Sequence, residues 1–300
     1  MALINTIIQP VIKSVVQRVD GVIDIPLLLE TYSDATAGYS LRDIGANGGA
    51  VVRVRNDSTS EQDFTASEVS DGTLASFCNG VGVGDGFVSI WYDQSGNGNH
   101  ATQTSNSSQP KIVDGGVVVK KNNQPTIRFG TNNTNLTLST PLGIFNNLNS
   151  VSFFMVVHLI QSGTATQGIL TLNPVFPSPP LFLQEAFGIN IQSGGTNFSY
   201  DGVLNNRPPI THNPNLNENI LYSALTEGSN FKAFADGSNI MTRSTVDIQP
   251  SAAGLIGAFM PGILVYGGTI SEIIVFDSGK ANDRANIEEN LANYYNITLS

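Results

Sequence analysis

The sequence predicts an all-β fold: a jelly-roll sandwich of two antiparallel sheets, with an N-terminal amphipathic helix and one C-terminal helix. Three observations carry this reading. Apolar residues make up 40% of the 300-residue chain and charged residues only 13%, about half the ~25% usual in soluble domains. The surface must therefore be hydrated mainly by uncharged polar groups. Asn supplies about a tenth of the chain and Gly another 30 residues, a turn-rich makeup unlike that of a helical bundle. From residue 30 onward, short apolar or alternating segments recur between turn residues, the pattern of a sandwich of many short strands.

The first element is the helix. Over residues 1–20 apolar residues recur in pairs, Leu3-Ile4, Ile7-Ile8, Val11-Ile12 and Val15-Val16, which is a helical stripe. Pro10 would restart or kink it, and β-branched residues weaken it in isolation. Such a stripe needs a partner, either its own domain or a docking surface on another subunit. Lys13 and Arg18 follow the apolar stretch, the reverse of a signal peptide. Gly21 and Pro26 then punctuate the chain. This divides it into an anchor or oligomerisation segment with linker, 1–29, and one β domain, 30–300.

Strands follow. Val51–Val54 alternate with Arg53 and Arg55, and Phe87–Tyr92 is rich in β-formers. Val117–Val119, Thr126–Phe129 and Leu136–Leu138 come at short spacing. Ser152–Ile160 is almost wholly apolar, as expected of a central strand covered on both faces. Phe231–Ala235, then Asp236-Gly237, then Ile240 onward reads as a hairpin, because Asp-Gly suits a type I′ turn. Ile270–Phe276 is another long apolar strand. One helix is predicted over 280–295, with Ile287, Leu291 and Tyr294/Tyr295 on one face.

Charge and cysteine exclude several function classes. A net charge of −10 and a pI near 4.6 argue against nucleic acid, which demands a basic face, and against anionic membranes. No apolar run reaches the ~18 residues that cross a bilayer. The single Cys78 permits neither an internal disulfide nor a zinc site of several thiolates.

The most distinctive segment is Trp91-Tyr-Asp-Gln-Ser-Gly-Asn-Gly-Asn-His100. Amide and carboxylate oxygens on a Gly-bent loop suit a sugar or calcium, but the reading favoured for the segment is structural, with Asp and Asn side chains satisfying turn backbone. Trp91, Tyr92, Asp93, Asn97 and Asn99 are the candidate carbohydrate-binding residues. Asp93 is the one calcium candidate, a thin ligand set, and no other cofactor is expected. His158 lies within an apolar strand and reads as a buried, hydrogen-bonded histidine. His212 is a loop histidine without an obvious partner. The glycine-rich 80–86 stretch precedes a strand, not a helix, so it is no phosphate cradle. Glycoside hydrolysis needs two carboxylates across a cleft. Of Glu185, Asp201, Glu227, Asp236 and Glu272, no local pattern singles out two.

Taken together, Tyr39-Ser-Leu-Arg42, Val51-Val-Arg-Val-Arg55, Phe77-Cys78 and above all the 91–103 segment resemble the catalytic domain of α-L-arabinofuranosidases. Gln109–Gly115 and Ile270–Phe276 with the following helix resemble the wider concanavalin A-like (laminin-G-like) set found in phage virion proteins. The resemblance spans roughly 30–298 and implies a concanavalin A-like sandwich. It also implies a nucleophilic Glu in the stretch comparable to 186–191 and a general acid Asp near 257–262. Neither stretch holds a carboxylate, and the expected disulfide partner of Cys78 is missing from 81–86. The expectation is therefore a non-enzymatic virion protein: a decoration, spike or fibre subunit assembled in the host bacterial cytoplasm. Residues 1–20 would dock on other virion proteins, a homotrimer is favoured, and the head would bind cell-surface glycan. The alternative is a glycoside hydrolase related to arabinofuranosidases.

Overall fold

A computed structural model describes residues 18–19, 22–23, 27–45, 48–80, 82–130, 138–140, 150–159, 167–172, 187–192, 195–199, 218–227, 229–244, 254–260 and 263–300. The helix expected over 1–20 lies outside them except at its end. There Arg18–Val19 pairs as a strand with Val22–Ile23, so residues 18 and 19 are corrected from helix to strand.

The body is mostly β, with a large antiparallel hydrogen-bonded sheet and a C-terminal helix. One run of strands reads Ser238–Ser244, Asn230–Ala235, Asn219–Glu227, Ser152–Leu159, Gly268–Phe276 and Ala35–Ser40. Another reads Glu61–Thr65, Ala50–Asn56 and Gly86–Trp91, then Ala101–Thr102, Leu138–Thr140, Gly254–Ile256, Gln167–Leu172, Phe187–Gln192 and Gly195–Ser199. Ile127–Arg128 joins the runs, pairing with both Gly268–Phe276 and Lys111.

Side chains of both runs meet in one apolar cluster. Phe153, Met155, Ile273 and Val275 from the first pack with Val52, Val54, Val88 and Trp91 from the second. Alternation sends Phe154, Val156, Ile274 and Phe276 the other way, into a second cluster with Ile287, Leu291, Ala292 and Tyr295. The apolar Ser152–Leu159 run is thus buried at every residue. The helix occupies Arg284–Tyr295, four residues shorter at its start than 280–295. At the hairpin, Asp236 and Gly237 both have positive φ, 47° and 85°, as a type I′ turn requires.

Three departures from the sequence reading concern small elements. Leu28 and Leu29, assigned to the linker, lie in the helix Leu28–Thr31 and are buried in the second cluster. The strand Ala35–Ser40 is additional. Two short helices, Ala66–Ser70 and Thr73–Cys78, add to the single helix expected after residue 30. The first begins with a capping box, in which Thr65 and Glu68 exchange side-chain to backbone bonds.

Candidate functional site around Tyr92

The 91–100 segment leaves the Gly86–Trp91 strand and folds back against Ala35–Ser40. Asp93 organises it. One carboxylate oxygen accepts the Gly38 and Ser95 amides, each at 2.9 Å, and the other accepts the Asn99 amide and the Ser95 hydroxyl, also at 2.9 Å. Asn97 and Asn99 donate their Nδ2 groups to carbonyls of Ala35 and Thr36. Gln94 accepts the Ile44 amide and donates to the Ser40 and Arg42 carbonyls. The Tyr39 hydroxyl, from the far strand, donates to the Asn99 carbonyl.

The loop is therefore a clasp between distant segments. Trp91, Asp93 and Asn99 are thereby buried within the fold, whereas Asn97 keeps an exposed side chain. Trp91 is fully buried in the core beside Tyr39, ring centroids 5.7 Å apart, so no ring face meets solvent. Asp93 already accepts four hydrogen bonds and is buried, which leaves it unsuited as a calcium ligand. Asn97 and Asn99 spend their amide donors on strand backbone. A small notch beside the clasp, lined by Asp43, Gly45, Gly48, Gly49, Ala50, Asp93 and Gln94, has about 50 Å³, room for water but not for a sugar ring. Among the described residues no group of three or more His, Cys, Asp or Glu side chains is placed to hold a metal.

Tyr92 points the other way. On the Ala50–Asn56 and Gly86–Trp91 strands, Val52, Val54, Val88 and Trp91 enter the core, and Arg53, Arg55, Phe87 and Tyr92 line the opposite side. The register sets Arg55 against Phe87 and Arg53 against Asp63 of the next strand. Arg53 grips Asp63 with two bonds of 2.7 and 2.8 Å, and the Tyr92 hydroxyl donates to the same carboxylate at 2.8 Å. His100 meets the Tyr92 ring edge-on at 5.0 Å, and its Nδ1 accepts the Asp93 amide at 3.1 Å. That bond fixes the imidazole as the tautomer carrying its proton on Nε2.

The electrostatics agree with this geometry. Burial first, and then the Asp63 carboxylate, pushes the Tyr92 phenol up to about 12. The hydrogen-bonded guanidinium of Arg53 holds Asp63 below the usual carboxylate range. Tyr92 is half-buried, so its ring is rigidly held yet reachable. Such a ring, flanked by charged hydrogen-bonding groups, can carry a sugar face while its neighbours meet hydroxyls.

The carboxylates weighed for hydrolysis are dispersed. Glu272 is fully buried and held by Arg42 through bonds of 2.9 and 3.0 Å, with Ser40 and Tyr295 hydroxyls donating to it. Asp236 serves the hairpin turn and accepts the Leu221 amide at 2.8 Å. Glu227 pairs with Lys232. Glu185 and Asp201 lie outside the described residues, as does His212. The strand Phe187–Gln192 and the strand Ala258–Met260 contain no Asp or Glu. His158 is buried in its strand, as expected. Cys78 is buried, and that burial pushes its thiol up to about 11, which makes it unreactive at neutral pH.

No family model matches the chain, and no curated protein matches it. Solved structures do. One is a glycoside hydrolase family 54 α-L-arabinofuranosidase soaked with a cyclic sulfate inhibitor (TM-score 0.57, 14% identity). Another is a mutant of such an enzyme soaked with 4-nitrophenyl α-L-arabinofuranoside (0.60, 14%). A third is an arabinofuranosidase complexed with arabinofuranosyl-α-1,2-xylobiose (0.57, 15%). Each match covers 89% of this chain and 64% of the enzyme, so the chain spans less than two thirds of the length of those enzymes. At such identity the likeness is one of fold: the chain is folded like arabinofuranosidases over most of its length.

Proposed function

We propose that the protein is a carbohydrate-binding module that recognises glycans at the Tyr92 side of its sheet and does not cleave them. In this reading the two runs of strands form the faces of a concanavalin A-like jelly-roll sandwich. The observation that carries it is the Tyr92 ring: half-buried, fixed by Asp63 and His100, and on the side away from the core. The fold likeness to enzymes that act on arabinofuranosides supports the carbohydrate class. The carboxylate-free strands Phe187–Gln192 and Ala258–Met260 support binding without hydrolysis.

The wider setting proposed is a phage particle, with residues 1–20 docking on other virion proteins and three copies assembled. That part rests on sequence resemblance and on the apolar pairs alone; the similar solved structures lend weight only to the carbohydrate class. Deleting residues 1–20 should lower the oligomeric state, and mass spectrometry of purified particles should find the chain.

The second reading, a glycoside hydrolase, is favoured by one observation: the similar solved structures are themselves hydrolases. One pair of measurements separates the two. Binding to a glycan array that is lost in Tyr92→Ala, with no release of nitrophenol from 4-nitrophenyl α-L-arabinofuranoside, supports the module. Nitrophenol release by the native protein that is abolished in Glu185→Gln establishes the hydrolase instead.

A further inference from the structure

Resting on the reading of the Tyr92 side as a glycan site, we infer that the glycan it takes is uncharged, a chain of neutral pentoses or hexoses without uronate, sulfate or sialyl groups. Strand register lays a row of side chains across this side: Arg128 opposite Lys111, Lys111 opposite Phe87, Phe87 opposite Arg55, and Arg55 opposite Glu61. With Arg53 this side carries four cations, enough to grip a polyanion if their charges were free.

They are not free. Lys111 binds Asp85 at 2.6 Å and Asp114 at 2.9 Å, and Arg128 binds Asp114 at 2.7 Å. Arg53 is committed to both oxygens of Asp63. Arg55 is buried, lies 4.5 Å over the Phe87 ring and donates to Gln109 and to the Asn56 and Asn106 carbonyls. Asp63, Asp85 and Asp114 thus occupy three of the four cations, and the fourth, Arg55, is buried among neutral acceptors and the Phe87 ring. A sugar carboxylate or sulfate would have to evict one of these carboxylates, in the field of a protein of net charge −10. What stays available is the Tyr92 ring and the unsaturated acceptor and donor sites of paired groups, which suit hydroxyls.

The test uses the full chain. Arabinoxylan, galactan and mannan oligosaccharides are compared with polygalacturonate, heparin and sialylated oligosaccharides, at low and high NaCl. The expected result is binding to neutral glycans only, with affinity changing less than about twofold between the two salt levels. The double variant Asp63→Asn, Asp114→Asn, which releases Arg53 and Arg128, should gain at least about tenfold in affinity for polygalacturonate, and high salt should abolish that gain. A native preference for acidic glycans that weakens with salt overturns this inference and leaves the binding module standing. So does a double variant that still ignores polygalacturonate. Silence towards every glycan overturns the module itself, and the inference with it.

Discussion

The amide of Gly38 donates to the carboxylate of Asp93, 55 residues later, at 2.9 Å. Through that bond the loop after the Gly86–Trp91 strand is fastened to the strand Ala35–Ser40. Asp93 accepts three further bonds and is only 7% exposed, so its removal strands buried N–H groups. Asp93→Ala should cost about 2–4 kcal/mol, read as a lower urea midpoint at unchanged slope. Asp93→Asn, which retains one acceptor oxygen, should cost less.

Arg42 and Glu272 form a second long-range tie, reinforced where Arg42 reaches Asn290 at 2.7 Å and stacks on Tyr294 at 4.5 Å. Removing one member leaves the other buried and uncompensated. Arg42→Met or Glu272→Leu alone should each destabilise by about 3–5 kcal/mol. The double replacement should lose less than the sum of the two, because neither charge is then left behind. Thermal denaturation of the three variants makes the comparison.

Gly86 packs against the sulfur of Cys78: a Cβ built there meets Sγ at 2.7 Å and the Val113 side chain at 3.0 Å. Gly86→Ala should therefore overpack the core and destabilise by about 1–3 kcal/mol. Gly86→Cys should behave likewise when reduced, but its sulfur can reach Cys78. Under oxidising conditions a thiol titration should count no free cysteine and the melting temperature should rise above that of the reduced variant.

Arg128 and Lys111 hold the Asp114 carboxyl down to about 2. A carboxylate whose native pKa is depressed adds stability above its unfolded pKa of ~3.9; that contribution is lost as pH falls through the native value. Between pH 5 and pH 2 the native protein should therefore lose more stability than Asp114→Asn. Equal acid sensitivity of the two would show that the pair contributes nothing, which exposed pairs can do.

Local pattern made some of this structure legible. Ser152–Leu159 was readable because both its faces are covered, and the Asp236-Gly237 turn because two successive positive φ values restrict the residues allowed there. Ala35–Ser40 was not readable: its small residues show no alternation, and its burial comes from partners such as Glu272, opposite Ser40. The short helix Ala66–Ser70 did carry a signal, Thr65 and Glu68 at capping-box spacing. In the loop, residue types drew notice to the right segment, but burial decides their roles. Trp91 turns into the core and Tyr92 turns out, next to an Arg53–Asp63 pair that only strand register brings together.

The position of Gly268–Phe276 between Ser152–Leu159 and Ala35–Ser40 also orders events during synthesis. Gly268–Phe276 leaves the ribosome more than two hundred residues after Ala35–Ser40, which it must join. Until then Ala35–Ser40 and Ser152–Leu159 each present an unpaired edge, and an apolar strand waits without its neighbour. Folding dominated by such distant pairings is slow. Translation speed and chaperone supply, more than the stability of the finished molecule, should set how much of this protein a cell can make.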